Sequence, residues 1–148
     1  MTISDIDDDL VLLAEALRPG LLRASRLLRR EAQKAGVSAL DAQIVGVIAK
    51  HPGVGGGELA EAEQMSAPSM SAHLKRLESL GWIERDPPRA EDRRRVGLRV
   101  TAGGEAALLA IRRQRNEWLA KRLAALPAKD RRALAAAAAP LMRLAGDR

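Results

Sequence analysis

Arginine is concentrated in one short stretch of the chain, RAEDRRRVGLR at residues 89–99. Five of its eleven residues are arginines, and two acids, Glu91 and Asp92, stand among them. A planar guanidinium can donate two hydrogen bonds to one anionic group and is less strongly hydrated than an ammonium. The stretch therefore has the chemistry to bind a polyanion such as a phosphodiester backbone. A solvated loop of the same composition is the alternative.

A second candidate surface lies on the segment from about Ala67 to Leu80, which the spacing of its apolar residues predicts to be a helix. The predicted inward stripe consists of Met70, Leu74, Leu77 and Leu80. The candidate binding set on the other side is Ser66, Pro68, Ser69, Ser71, Ala72, His73, Lys75 and Arg76. A helix with such a face fits the major groove of DNA, whose base edges present distinct donors and acceptors. An ordinary amphipathic helix with a solvated polar face would have the same pattern.

The elements predicted around them place the arginine-rich stretch and the polar surface of the predicted helix on one small structural unit. A short helix over Glu58–Glu63 and a polar turn precede the second surface, and the glycine-rich residues 53–57 are interpreted as a flexible loop. Residues 82–85 and 96–101 have strand character, so the arginine-rich stretch becomes the tip and one arm of a β-hairpin. A helix–turn–helix followed by a basic hairpin is a winged DNA-binding unit. The two features together are a more specific sign of DNA binding than either feature alone.

The tip of such a wing can reach the minor groove, where guanidinium groups read groove width and negative potential. The candidate wing residues are Arg89, Arg93, Arg94 and Arg95. Arg99 is expected on the strand arm, where it faces phosphate or solvent. Glu91 has no assigned role.

Leucine-rich helices are predicted at both ends of the chain. The expected division is residues 1–35 and 103–148 as helical ends and residues 36–102 as the DNA-binding domain. Pro19 and Gly20 are expected to kink or split the first helix, since proline removes a backbone donor. The end helices carry more apolar surface than one chain of 148 residues readily covers, which favours a homodimer. Packing of both ends on the middle domain of the same chain is the alternative.

The composition excludes several functional classes. The 148 residues carry a formal charge of +6 and include no Cys and two His, so disulfides and thiolate sites are excluded and no metal site is expected. The acidic N-terminus and the lack of a long apolar run predict a cytoplasmic protein without a membrane segment. Ser69 and His73 are four residues apart, but no acid on that face orients the imidazole. No catalytic residue, cofactor or enzyme activity is therefore predicted.

The motifs of the middle segment resemble one known family. The string S-x-P-S-M-S-x-H-L-K-R-L-E-S-L-G-W-I-E-R, followed by E-D-R-R-R-V-G-L-R-V-T-A-G-G, is similar to the winged helix–turn–helix of MarR-type transcriptional regulators. The D-x-R motif of that family's wing is present at residues 92–94. The closing L-T-x-x-G motif is present at residues 100–104 with Val in place of Leu. The helices at both ends are similar to the dimerisation helices of the family.

The resemblance implies a mainly α-helical protein with a small β-hairpin wing, in which N- and C-terminal dimerisation helices flank the winged helix–turn–helix. It implies an obligate homodimer that binds a pseudo-palindromic site on double-stranded DNA through successive major grooves. Arg94 is then the expected minor-groove arginine. Asp92 is expected to orient a wing arginine, which reduces the entropy that the arginine loses on binding. A turn-forming role for Asp92 is the alternative.

Members of the family often bind a small phenolic or aromatic acid between the dimer helices and the DNA-binding lobes. Such binding would shift the spacing of the two recognition helices. The residues expected to meet an anionic or aromatic effector are Arg18, Arg23, Arg26 and Trp118. A solvated helix face for the arginines and a structural role for the tryptophan are the alternatives.

The resulting hypothesis is a sequence-specific, dimeric transcriptional regulator, expected to be a ligand-responsive repressor. The first alternative is a non-sequence-specific architectural DNA-binding protein, which would bind an operator and random DNA with similar affinity. The second is a protein-interaction module whose winged helix no longer binds DNA. Substitution of Arg94 separates this last hypothesis from the other two.

Overall fold

The computed structural model describes residues 7–34, 36–87 and 96–146. These residues form six helices and three strands. In chain order the elements are α1 (Asp8–Lys34), α2 (Ala39–Lys50), β1 (Val54–Gly55), α3 (Gly56–Ala62), α4 (Ala67–Ser79), β2 (Ile83–Arg85), β3 (Gly97–Val100), α5 (Ala102–Ala124) and α6 (Ala128–Ala145). The protein is thus mainly α-helical with a small antiparallel sheet, as the sequence predicts.

The two arms of the predicted hairpin are β2 and β3, which pair antiparallel with Ile83 opposite Val100 and Arg85 opposite Leu98. A third strand, β1, pairs with the other edge of β3, so β3 is the central strand of the sheet. The sheet therefore fixes the two described arms of the hairpin relative to each other.

The interpretation of residues 53–57 as a flexible loop was wrong. This segment contains β1 and the start of α3. The Gly53 amide donates to the Leu98 carbonyl at 2.8 Å, and a side-chain carbon on Gly56 would lie 3.3 Å from the Leu74 side chain. Glycines here allow the backbone to approach β3 and α4 closely. This long-range requirement is not visible in the local pattern.

The main core lies between α2, α3, α4 and the sheet. Its most completely buried apolar residues include Ile44, Ile48, Leu59, Met70, Leu77 and Leu98. Three members of the predicted inward stripe of α4, Met70, Leu74 and Leu77, are buried. Leu80 is instead 52% exposed. A helix turns by about 100° per residue, which places Leu80 roughly 60° beyond Leu77 and off the stripe.

Helix α1 runs unbroken from Asp8 to Lys34, so of the predicted kink or split at Pro19 and Gly20 the split was wrong. Proline at this position removes one intrahelical hydrogen bond. The other hydrogen bonds of a 27-residue helix maintain its geometry. α1 packs chiefly on α5 and α2, which connects it to the domain that contains α4.

The turn between α4 and β2 is a Schellman motif. The Trp82 amide donates to the Leu77 carbonyl at 3.0 Å, and the Gly81 amide donates to the Glu78 carbonyl at 2.9 Å. Gly81 has a φ of +73°, in the left-handed region that side-chain-bearing residues rarely adopt. The turn sets the direction in which the first arm of the hairpin leaves α4.

Candidate nucleic-acid interface

Helix α4 begins with two hydrogen-bonded serines. The Ser66 hydroxyl oxygen accepts from the Ser69 amide at 3.3 Å, which caps the helix. The Ser66 hydroxyl donates to the Ser69 hydroxyl at 2.9 Å. A turn with Gln64 at a φ of +51° joins α3 to α4, so the two helices form the predicted helix–turn–helix. The free backbone amides at the start of such a helix favour an anion.

Most of the candidate set on α4 is open to solvent. The exposed members are Ser66, Pro68, Ser69, Ala72, Lys75 and Arg76. Ser71 and His73 are half-buried. The structure therefore brings the whole set together on one helix and its cap. His73 and Arg76 have an additional partner that the sequence pattern did not identify.

That partner is Asp41, in the first turn of α2, whose side chain is 2% exposed. Its Oδ1 lies 2.9 Å from Nδ1 of His73, and its Oδ2 accepts a hydrogen bond from Nη2 of Arg76. One carboxylate thereby joins α2, a core helix, to the surface side of α4. The sequence predicted no orienting acid on the face of α4 that carries His73, and the acid that contacts His73 comes from a different helix.

Asp41 is ionised at neutral pH despite its burial. Burial raises the pKa of Asp41, but hydrogen bonds from Arg76, His73 and Ser38 and the positive charge of Arg76 together lower it by more. The pKa of this carboxyl therefore lies below its ordinary value. An ionised carboxylate only accepts hydrogen bonds, so Nδ1 of His73 carries the hydrogen in this contact.

One sequence signal for Asp41 does exist. Ser38 and Asp41 have the spacing of a helix-capping box, and the Asp41 amide donates to the Ser38 hydroxyl oxygen at 3.0 Å. That spacing predicts an acid at the start of α2. It carries no information about His73, which is 32 residues away in the sequence.

Ser69 and His73, the pair considered for catalysis, are not joined by a hydrogen bond in the described part of the chain. Ser69 is hydrogen-bonded to Ser66 instead.

The described residues include no group of three His, Cys, Asp or Glu side chains that could hold a metal ion. No helix among them is long and apolar enough to cross a membrane.

The described arms of the hairpin carry two ion pairs. Arg85 of β2 binds Glu78 of α4, and Nε of Arg99 lies 2.6 Å from Oδ1 of Asp86. Arg99, expected to face phosphate or solvent, is thus paired with an acid on the opposite arm and still partly exposed. The predicted tip residues lie outside the described residues, as does the acid expected to orient them: Arg89, Arg93, Arg94, Arg95 and Asp92.

A cleft of about 420 Å³ lies between α1 and α5. Its lining residues are Leu21, Ala24, Ser25, Leu28, Arg29 and Arg115. The Nε of Arg115 is buried and has no hydrogen-bond partner among the described residues. The cleft thus combines apolar walls with guanidinium groups, one of which has an unused donor.

The residues expected to meet an effector lie elsewhere on the same two helices. Arg18, Arg23 and Arg26 are exposed on α1 and do not line this cleft. Trp118 of α5 is half-buried, and the guanidinium carbon of Arg122 lies 4.3 Å from its ring centroid. This stacking occupies one face of the indole.

Sequence comparisons match the chain to one family. The sequence profile of the MarR family matches residues 35–95. An HTH-type transcriptional regulator of Mycobacterium bovis is 34% identical over 126 residues, which cover 85% of this chain and 87% of that protein. A similar regulator of Mycobacterium leprae is 31% identical over 132 residues, which cover 89% of this chain and 92% of that protein.

Solved structures have the same fold. A transcriptional regulator protein of Pseudomonas aeruginosa superposes with a TM-score of 0.78 at 32% identity, over 97% of this chain and 100% of that chain. A mutant of MepR from Staphylococcus aureus, solved bound to an oligodeoxyribonucleotide, has a TM-score of 0.68 at 18% identity, over 87% of this chain and 94% of that chain. At this lower identity the second likeness concerns the fold alone.

Proposed function

Because the chain belongs to the MarR family of transcriptional regulators and has a helix–turn–helix DNA-binding fold, we propose that it is a sequence-specific dimer that binds a pseudo-palindromic operator on double-stranded DNA. We further propose that it is a repressor whose DNA binding responds to a small anionic or aromatic effector. The observation that carries the proposal is the surface side of α4, where polar and basic side chains are exposed on a capped and anchored helix.

The surface of α4 has groups suited to base and phosphate recognition. The side chain of Arg76 is 52% exposed, and an arginine can donate two hydrogen bonds to O6 and N7 of guanine in the major groove. Ser66 and Ser69 stand at the helix N-terminus, where backbone amides favour a phosphate. The oligodeoxyribonucleotide-bound structure of MepR, which has the same fold, supports DNA as the partner.

Uncovered apolar surface on α1 and α6 supports a homodimer. The exposed leucines of α1 are Leu10, Leu12, Leu13, Leu17, Leu21 and Leu22. α6 has no buried residue, and its exposed large apolar side chains are Leu134, Met142 and Leu144. Among the described elements, α6 makes no extensive contact with another helix or strand. A second copy in a symmetric interface would cover both helices at once.

The cleft between α1 and α5 is the proposed effector site. Its apolar walls suit an aromatic ring, and Arg29 and Arg115 suit a carboxylate. Arg115 lines the cleft, and its guanidinium group can donate a charge-assisted hydrogen bond to a carboxylate. Arg18, Arg23, Arg26 and Trp118, the effector contacts predicted from the sequence, do not line this cleft and stay a separate prediction.

Benzoate, the simplest aromatic acid, is the probe for this site. Calorimetric titration should detect binding of benzoate to the wild type. Arg115→Gln should bind benzoate about tenfold more weakly or worse, because a charge-assisted hydrogen bond is lost. Equal affinity of the two proteins for benzoate would contradict the placement of the site.

Sequence specificity is tested by a ratio of two affinities. A duplex recovered by selection from a random pool is compared with a shuffled duplex of the same length and base composition at physiological salt. A sequence-specific regulator should prefer the recovered duplex by a factor on the order of 10³ or more. A ratio near one would support the architectural DNA-binding alternative.

Two variants test which surfaces bind the recovered duplex. Arg94→Ala alters the predicted wing, and a double variant, Ser69→Ala with Arg76→Ala, alters α4. Each should weaken binding about tenfold or more, since one good base contact is worth about 1–3 kcal/mol. Lys129→Ala removes an exposed positive charge from α6 and is the matched control. Wild-type affinity in both test variants would overturn the DNA-binding proposal and favour the protein-interaction module.

A further inference from the structure

We propose that Asp41, although buried, is a specificity-determining positioning residue for α4. The inference rests on the proposed function, because it concerns how α4 presents its base-reading groups. It depends on one arrangement, in which a single carboxylate of α2 holds both His73 and Arg76. These two residues belong to the set that the sequence predicts to contact DNA.

The contact with Asp41 determines which ring nitrogen of His73 is available outside the domain. Nδ1 carries the hydrogen and lies 2.9 Å from Oδ1 of Asp41, so Nε2 of the neutral ring is an acceptor. The side chain is 26% exposed. In a major groove an acceptor selects an amino group, which is N6 of adenine or N4 of cytosine. The opposite tautomer would present a donor and would select a different base.

The contact also restrains Arg76. Its Nη2 donates to Oδ2 of Asp41, while the side chain stays half exposed. The remaining guanidinium donors are available to a base edge or a phosphate. An arginine that is already restrained loses less side-chain freedom on binding than a solvated one. Asp41 therefore orients the Arg76 side chain for DNA binding without contacting DNA itself.

Charge and positioning predict opposite effects when the acid is removed. Asp41→Asn deletes a negative charge next to the binding surface, which by itself strengthens electrostatic attraction to any DNA. Loss of the restraint weakens base-selective contacts and leaves phosphate contacts in place. The variant should therefore lose preference for the recovered duplex without losing affinity for the shuffled one. A purely structural role would instead lower both affinities together, because unfolded protein binds neither duplex.

The test measures the dissociation constants of wild type, Asp41→Asn and Glu61→Gln for the recovered and the shuffled duplex. Glu61 is an exposed acid of α3, so Glu61→Gln matches the change in charge without altering Asp41. Asp41→Asn should reduce the preference about tenfold, with unchanged or tighter binding to the shuffled duplex. Glu61→Gln should keep the wild-type preference. An unchanged preference in Asp41→Asn, or a parallel loss of both affinities, would overturn the inference.

Arg76→Gln keeps the inference testable if Asp41→Asn folds poorly, because the replaced side chain is half exposed. It should also reduce the preference about tenfold. If Asp41→Asn does fold, the double variant should lose less than the product of the two single losses, since both substitutions act through one group. A wild-type preference in Arg76→Gln would show that Asp41 does not act through Arg76 and would overturn the inference that it positions both residues. If the wild type itself shows no preference, the proposed function fails, so the two failures are distinguishable.

Discussion

Asp41 links a buried position of the core helix α2 to the proposed recognition surface of α4. A buried carboxylate is costly unless it is paired. Asp41 is paired with His73 and Arg76, and its backbone amide is bound by the Ser38 hydroxyl. The partners of the carboxylate lie on the helix that carries the candidate DNA-binding surface. The contribution of this acid to folding can be isolated by varying the pH.

Asp41→Asn should lower the free energy of unfolding at pH 7 by about 1–3 kcal/mol, because it weakens hydrogen bonds to a charged group. The pKa of Asp41 is lowered in the folded protein, so folding favours its ionised form. The stabilisation is therefore fully present above the unfolded-state pKa and is lost as the pH falls through the lower folded-state pKa. Denaturant unfolding of both proteins, at one protein concentration and from pH 7 to about pH 2, measures the difference.

The difference between the two proteins should shrink as the solution becomes acidic. Subtracting the two curves removes the contributions of the other acids, which both proteins share. A difference that is constant or grows towards acid pH would contradict the role assigned to the ionised carboxylate.

Among the elements, the junction of β3 and α5 connects the DNA-binding lobe, formed by α2–α4 and the sheet, to the end helices α1, α5 and α6. Thr101 caps α5, since its Oγ1 accepts from the Gly104 amide at 3.1 Å and donates to the Gly81 carbonyl. A side-chain carbon on Gly104 would lie 2.1 Å from the Trp82 carbonyl oxygen and 2.7 Å from the Val100 side chain. The last glycine of the closing motif is therefore required by close packing of α5 against the turn after α4.

Gly104→Ala should destabilise the protein by about 1–3 kcal/mol or more, because the added carbon meets a backbone carbonyl that cannot move independently. Gly46→Ala is the matched control in α2, where an added carbon meets nothing within 4 Å. Alanine is the better helix former, so the control should be neutral or more stable by up to about 1 kcal/mol. Thermal unfolding compares the three proteins, and a wild-type melting temperature for Gly104→Ala would contradict the packing.

The sequence predicts the elements whose determinants are close together in the chain. The spacing of Met70, Leu74 and Leu77 predicted the buried face of α4, and alternation over residues 96–101 predicted the second hairpin arm. β1 could not be predicted in this way, because it exists through pairing with β3, more than forty residues later. The partner of His73 was missed for the same reason. The roles of the wing arginines stay predictions.

Across the whole molecule, exposed leucines distinguish the end helices from the DNA-binding lobe. The lobe buries most of its large apolar side chains in one core. α1 and α6 leave large apolar side chains open to solvent. Large apolar side chains left exposed in this number on two helices are typical of an interface. A two-fold symmetric dimer through these helices would cover that surface and would carry two copies of α4.

Leu13→Glu should weaken the proposed dimer. Leu13 is 53% exposed on α1, and a symmetric interface contains two copies of it. Burial of one leucine contributes about 1.5–3 kcal/mol, so the dissociation constant of the dimer should rise at least about 100-fold. Leu80→Glu is the control, because Leu80 is equally exposed but lies at the end of α4. Sedimentation equilibrium measures both, and a Leu13→Glu dimer as tight as the wild type would rule out this interface.

Selection of DNA from a random pool tests the central proposal most directly, because it measures the symmetry of the bound site. Two copies of α4 in successive major grooves predict a two-fold symmetric motif whose half-sites are about ten base pairs apart. Recovery of an unsymmetric motif, or of a pool without preferred bases, would contradict a symmetric dimer that reads DNA with α4.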